Sequence, residues 1–172
     1  MVSRADRERD AAGRARNARP RDGLGRPLPR GAVGVERVPD DLVLPPAESL
    51  AEAQRLLDSG APFHAHEVLE GTWKAAPAEE RDLWQGLAQL AVGLTHLARG
   101  NPVGAMSLLR RAAARIAPYA ESPPHGIDVA GLVDFATGTA ERVAGGDMVV
   151  PPPPRLRRPQ AQDPVATDPV AP

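Results

Sequence analysis

Proline and glycine residues divide residues 44–146 into five segments of helical length, and this division constrains the fold more than any other feature. Proline is favoured at the first position of a helix and glycine just beyond the last. These starts and ends predict helices at about residues 46–59, 62–75, 78–98, 102–117 and 128–144. No segment alternates polar and apolar residues as a strand would. The sequence therefore predicts an all-α fold, a compact bundle of about five helices in stacked antiparallel hairpins.

The two ends of the chain differ from this predicted domain. Residues 1–43 have no sustained apolar period and are rich in Gly, Pro and Arg, which predicts a basic, extended or disordered arm. Residues 147–172 are rich in proline and predict a disordered tail. The arm has ten Arg against seven acidic residues, net +3, whereas residues 44–146 have eight basic against twelve acidic residues, net −4. We therefore expect residues 15–35 to rest on the domain through contacts of Arg with carboxylates.

Composition excludes several classes of protein. The chain has no cysteine, which rules out disulfides, a cysteine nucleophile and thiolate metal sites. No stretch approaches the ~20 apolar residues that span a bilayer, and no secretory signal is visible, so we expect a cytoplasmic protein without a membrane partner. A net charge of +3 spread over the arm, with almost no aromatic residues, makes nucleic acid an unfavoured partner.

The most unusual local feature is a His–Glu pair within an apolar helical segment. His66 and Glu70 lie one helical turn apart, so they share a face. At about 100° per residue, Phe63, Leu69 and Trp73 fall within roughly 60° of His66. An ionisable pair among apolar side chains is costly unless it has partners. We therefore expect Glu70 to be largely buried.

A second polar pair is predicted to meet the first. The loop between the second and third helices is short, so these helices should be antiparallel neighbours. In that register Glu70 comes level with Gln85 and His66 with Gln89, while His96 lies at the edge of the cluster. The candidate catalytic residues are thus His66 and Glu70, and the candidate ligand-binding residues are Glu67, Trp73, Gln85, Gln89 and His96.

Three interpretations of this cluster are open. It can be a buried hydrogen-bond network that fixes helix register, an acid/base or ligand-binding site, or a metal site. A metal normally needs three or four protein ligands, and only Glu67 and His96 could add to the pair, so we predict no metal and no cofactor. His64 points away from His66 on a helix, and we expect it, like His125, to be a surface residue.

The segment from Phe63 to Trp73 resembles the F-x-A-H-E-x-x-E-x-x-W signature of domain of unknown function family 309. Gln85 to Ala91, followed by His96 and by Gly100 to Pro102, resembles the rest of the family pattern. The resemblance covers about residues 47–145. It implies a compact all-α domain of stacked helical hairpins and no particular activity. Its signature positions would be His66, Glu67, Glu70, Trp73, Gln85 and Gln89.

Two classes of function follow from these observations. The first is a non-catalytic binding module whose helical hairpins present a groove to a peptide or small ligand; the partner, a small molecule or a protein, and the oligomeric state are not indicated. The alternative is a small hydrolase- or isomerase-like enzyme. His66 would be its base, Glu70 would orient His66, and Gln85 and Gln89 would bind substrate. The absence of an obvious nucleophile near the cluster favours the binding module.

Overall fold

The computed structural model describes residues 19–36, 38–39 and 42–159, and five α-helices account for most of them. Each helix packs against the next one in the chain. Short 3₁₀ turns precede the third helix and connect the fourth to the fifth. The predicted all-α fold is therefore confirmed, with helix bounds within a few residues of those expected. The helices are α1 Pro46–Asp58, α2 Pro62–Ala75, α3 Arg81–Ala98, α4 Pro102–Ile116 and α5 Val129–Ala144.

The helix boundaries follow from their capping residues. The Asn101 side chain accepts a hydrogen bond from the backbone N–H of Gly104 at 3.0 Å, and Asp128 caps α5 in the same way. Gly60 and Gly100 follow α1 and α3 with φ of +75°, a left-handed conformation that ends a helix at little cost in glycine. These are the boundaries that the proline and glycine pattern predicted.

One main apolar core runs through all five helices, and two glycines set the spacing of its central pair. A Cβ atom on Gly86 would lie 2.7 Å from Cγ1 of Ile116, and one on Gly93 would lie 2.9 Å from Cγ of Leu109. Both neighbours belong to α4, so the small residues of α3 allow α4 to approach closely. The largest side chains that are fully buried are Trp84, Leu50, Leu69, Leu83, Leu87, Leu90, Leu97, Leu109, Ile116, Ile127, Leu132 and Leu156.

The packed unit extends past the predicted boundary at residue 146. Leu156 is 1% exposed and belongs to the main core. Its backbone N–H donates to Oε1 of Gln54 at 2.8 Å, and its carbonyl accepts from the N–H of Asp128 at 3.0 Å. Residues 147–159 thus bridge α1 and the start of α5. Residues 160–172 of the predicted tail lie outside the described residues.

The arm also lies against the helices. Residues 19–36 make a series of turns rather than a regular element, and Val35 packs against the main core. This agrees with the expectation that the arm rests on the domain. Residues 1–18 of the predicted arm lie outside the described residues. Within the described ranges, no helix is long and apolar enough to cross a membrane.

Candidate functional site

The orientation of α2 differs from the one expected from the sequence. Its buried residues are Pro62, His64, Ala65, Val68, Leu69 and Thr72, so the buried side of α2 does not include His66. Phe63 and Trp73 are only half-buried and lie at its border. The Glu70 side chain is 34% exposed, so the prediction that it is largely buried is wrong. The helical wheel gave too much weight to Phe63 and Trp73, which border solvent here.

His66 and Glu70 form a half-exposed side-chain pair on this outer border. Nε2 of His66 lies 3.3 Å from Oε2 of Glu70, and its Nδ1 lies 3.3 Å from the carbonyl oxygen of Phe63. Nζ of Lys74 lies 2.9 Å from the other oxygen of Glu70. The Glu70 carboxylate thus lies within reach of both the His66 imidazole and the Lys74 ammonium group.

The two glutamines of α3 are not seen to join this pair. Gln89 lines a surface depression between α3 and α4, together with Arg111 and Arg115 of α4. Gln85 is half-buried. Among the described residues, no hydrogen bond links either glutamine to His66 or Glu70, and Oε1 of Gln89 is buried with no partner. Hydrogen bonds among the described residues therefore do not join the predicted cluster, and the predicted close contact of these side chains stays a prediction.

The remaining predicted residues also have separate surroundings. His96 lies at the end of α3, where its Nδ1 is 2.7 Å from Nδ2 of Asn101. Trp73 is half-buried against the main core. Glu67 contacts His64, not the pair of His66 and Glu70 with which it was grouped. Within the described part of the chain, no three His, Asp or Glu side chains lie close enough together to hold a metal ion.

His64 is the residue whose position the sequence misjudged most. It is 1% exposed, so the prediction of a surface residue is wrong. Nδ1 lies 3.0 Å from Oε2 of Glu67, and Nε2 lies 3.1 Å from the carbonyl oxygen of Asp22. Because a carbonyl can only accept, Nε2 is the donor in the contact with Asp22. The pair is thus a buried polar connection between α2 and the arm.

Phe63 provides an aromatic surface beside this connection. The guanidinium carbons of Arg21 and Arg99 each lie 5.7 Å from the centre of its ring, a distance at which a cation is attracted to the ring face. A Cβ atom on Gly25 would lie 2.4 Å from Cγ of Phe63, so only glycine fits there. Arg99 also donates from Nη2 to the carbonyl oxygen of Leu24. We call Phe63, His64, Glu67 and Arg99 the arm-binding face.

The arm itself is shaped by Asp22. Its Oδ1 accepts from the backbone N–H groups of Leu24 and Arg26, and its Oδ2 pairs with Nε of Arg26 at 2.7 Å. Partial burial raises the pKa of Asp22, but these hydrogen bonds outweigh that effect and leave the pKa below its ordinary value. This turn presents the carbonyls of Asp22 and Leu24 to the helices. These contacts of the arm with the helices use backbone carbonyls of the arm, whereas the sequence predicted pairs of Arg with carboxylates.

A second polar cluster, which the sequence did not suggest, surrounds Glu80. Its Oε2 accepts from Nε1 of Trp84 at 3.0 Å and lies 2.8 Å from Nε2 of His125. Partial burial raises the pKa of Glu80. The hydrogen bonds from Trp84 and His125 lower it by more than burial raises it, so the pKa lies below its ordinary value. The His125 side chain is 29% exposed. This cluster ties the start of α3 to the loop before α5.

Comparison with known proteins confirms the family resemblance. Residues 50–108 match the family model of a domain of unknown function, DUF309. A segment of 48 residues is 46% identical to the uncharacterized protein YpuF of Bacillus subtilis (strain 168); it covers 27% of this chain and 28% of that protein. No solved structure matches this chain.

Proposed function

We propose that this chain, in which residues 50–108 match the DUF309 family model, is a binding module for polypeptide segments that form a tight turn like that of residues 21–27. The arm-binding face is its binding surface, and residues 19–36 of the same chain occupy it. The observation that carries the proposal is the pair of side-chain donors on the helices, His64 and Arg99, which bond to the carbonyls of Asp22 and Leu24. Helices that bind two main-chain carbonyls in this way can accept any segment that forms the same turn.

Selectivity would come from the Phe63 ring. Gly25 has φ of +74° and lies directly on the ring, so a partner must offer a glycine or a comparably open backbone at that point. Arg21 covers the ring as a cation, so a basic residue four positions earlier adds to recognition. The favoured partner is therefore a segment that contains Gly and Arg and forms the same turn. Glu67, through His64, would hold the donor in place.

The test releases the arm and supplies the same segment from outside. In the full-length chain, Gly25→Val introduces a side chain where Phe63 leaves no space, and it should expose the face. A fluorescent peptide of residues 19–36 should then bind at least about ten times more tightly than to the wild-type chain, because a tethered arm competes at an effective concentration in the millimolar range. Fluorescence anisotropy measures the two dissociation constants.

Two further variants make this test specific. Gly31 also has a positive φ, +85°, but no atom lies within 4 Å of the position of its Cβ. Gly31→Val therefore strains the backbone equally without touching the face, and it should leave peptide binding at the wild-type level. Adding Phe63→Ala to Gly25→Val should abolish the gain. Equal binding of the peptide with and without Phe63, or no binding to the Gly25→Val chain, would contradict the proposal.

Acid/base catalysis at His66 and Glu70 is the second candidate. The distance of 3.3 Å between Nε2 and Oε2 supports it, since a carboxylate at that distance can orient an imidazole that acts as a base. Neither side chain lines the cavities beside the arm or between α3 and α4. A substrate would therefore bind on the open border of α2.

Two substitutions separate a catalytic pair from a structural one. His66→Ala and Glu70→Gln should each change the free energy of unfolding by no more than about 1 kcal/mol, because exposed ion pairs contribute about 0–1 kcal/mol. If the pair is catalytic, both variants should lose whatever turnover a screen of metabolites, with and without divalent metals, reveals in the wild-type chain. Thermal melts provide the control for folding. Full activity in the Glu70→Gln protein would eliminate Glu70 from any mechanism.

A further inference from the structure

The helices hold residues 154–158, which we call the docked tail, much as a protein holds an extended peptide. The side-chain amide of Gln54 on α1 makes two hydrogen bonds to its main chain. Nε2 of Gln54 donates to the carbonyl oxygen of Pro154 at 3.2 Å, and Oε1 accepts from the N–H of Leu156 at 2.8 Å. One amide thus pairs with two main-chain groups and fixes the register of the docked tail.

The residues just before α5 supply two more main-chain contacts. The backbone N–H of Asp128 donates to the carbonyl oxygen of Leu156, and the N–H of Arg158 donates to the carbonyl oxygen of Gly126, both at 3.0 Å. The Leu156 side chain is 1% exposed and fills a place in the main core. Main-chain hydrogen bonds that provide affinity and a pocket that selects a side chain are the features by which proteins bind added strands.

The charges of the docked tail complement those of the surface beneath it. Nη1 of Arg155 lies 3.1 Å from Oδ2 of Asp58, and Nε of Arg158 lies 3.7 Å from Oδ1 of Asp128. The surface therefore fits a leucine that has an arginine one position before it and another two positions after it. We call this surface the tail-binding site; it consists of Gln54, Asp58, Gly126, Asp128 and the pocket for Leu156.

The connection between α5 and the docked tail has little slack. Nη2 of Arg142, near the end of α5, donates to the carbonyl oxygen of Val149 at 3.3 Å. From there the chain must return to Leu156 beside Asp128, at the start of α5, a distance of about 21 Å along the helix. The stretch from Val149 to Leu156 includes Pro151–Pro154 and spans about 22 Å in a polyproline conformation. The chain is therefore nearly fully extended where it reaches its own tail-binding site.

A short, taut connection favours exchange of the segment that follows it between two copies of a chain. All contacts of the docked tail would be kept in the exchanged form, because each site receives an identical segment. Val149 and Val150 of the connection are 70% and 46% exposed, and two connections that cross side by side would cover them. We propose that the tail-binding site also takes residues 154–158 of a second copy of this chain. This interaction is independent of binding at the arm-binding face.

Cross-linking between two single-cysteine variants of the full-length chain tests the exchange. The natural sequence has no cysteine, so Asp58→Cys and Arg155→Cys each introduce the only thiol, and they remove an exposed ion pair of small energetic value. The tethered tail competes at an effective concentration of at most millimolar. Both variants are therefore refolded together from urea at about 1 mM and treated with a bifunctional maleimide. Mass spectrometry should find peptides joined between positions 58 and 155.

Arg110→Cys is the matched control, because Arg110 is an exposed arginine on α4. When it replaces Arg155→Cys in the mixture, it reports random collisions between copies. The link between positions 58 and 155 should exceed the link between positions 58 and 110 at least about tenfold, since contact in the exchanged form lasts whereas a collision does not. Equal yields of the two links would overturn the proposal.

Changing the length of the connection provides a second test. Deleting Pro151 and Pro152 shortens the connection by about 6 Å, so the docked tail no longer reaches its own site. Light scattering should then show a dimer at micromolar concentration. Inserting Gly-Ser after Val150 adds slack and should give a monomer under the same conditions. A folded but monomeric deletion variant would contradict the exchange. If the shortened chain does not fold, the cross-linking of the chains with the natural connection decides the question.

Discussion

Replacing Leu156 by alanine is expected to lower the free energy of unfolding by about 2–5 kcal/mol, the usual range for truncating a buried leucine. Leu156 is 1% exposed and packs in the main core, although it follows the proline run at residues 151–154. The cost combines lost burial with the cavity left behind. Its backbone remains tied to Gln54 and Asp128, so the surrounding atoms cannot easily close that space. Urea denaturation followed by circular dichroism measures the change.

The same segment offers a matched control. Val149 is 70% exposed, so Val149→Ala removes apolar atoms that were already in water and should change stability by less than about 0.5 kcal/mol. A Leu156→Ala protein as stable as the Val149→Ala protein would show that residues 147–159 are not part of the cooperative unit. In that case the folded domain would end near Gly146, where the sequence alone placed its boundary.

The sequence predicted the helices well because their boundaries are encoded locally. Caps such as Asn101 and Asp128 and the left-handed Gly60 and Gly100 act within one turn of the helix that they end. The pairing of each helix with the next also follows from short connections. These features do not depend on distant parts of the chain, so a single sequence is sufficient to predict them.

The site was predicted less well because its contacts join distant residues. His64 is buried, and one of its two polar contacts is with the arm, a bond to Asp22, which is 42 residues away in the sequence. Nothing in α2 alone distinguishes His64 from a surface histidine. The rotation of α2 was misjudged for a related reason: Phe63 was expected to face the core, whereas it packs against Gly25 and two arginine side chains of neighbouring segments.

Replacing Gly86 by alanine is expected to destabilise the domain by about 1–2 kcal/mol, although alanine is the better helix former. The added Cβ would lie 2.7 Å from Cγ1 of Ile116 and 3.1 Å from Cβ of Arg115, and neither atom is the free end of a flexible side chain. Overpacking of this kind costs about 1–3 kcal/mol, and the gain in helix propensity of about 0.5–1 kcal/mol offsets only part of it. Chemical denaturation measures the difference.

Gly138 in α5 provides the opposite case, because no atom lies within 4 Å of the position of its Cβ. Gly138→Ala should therefore gain the full helix propensity and stabilise the domain by about 0.5–1 kcal/mol. The two alanine variants differ only in what the new methyl group meets, so their opposite signs would isolate the α3–α4 contact. If Gly86→Ala stabilised the domain as much as Gly138→Ala, the two helices would have to lie further apart than Gly86 and Ile116 do here.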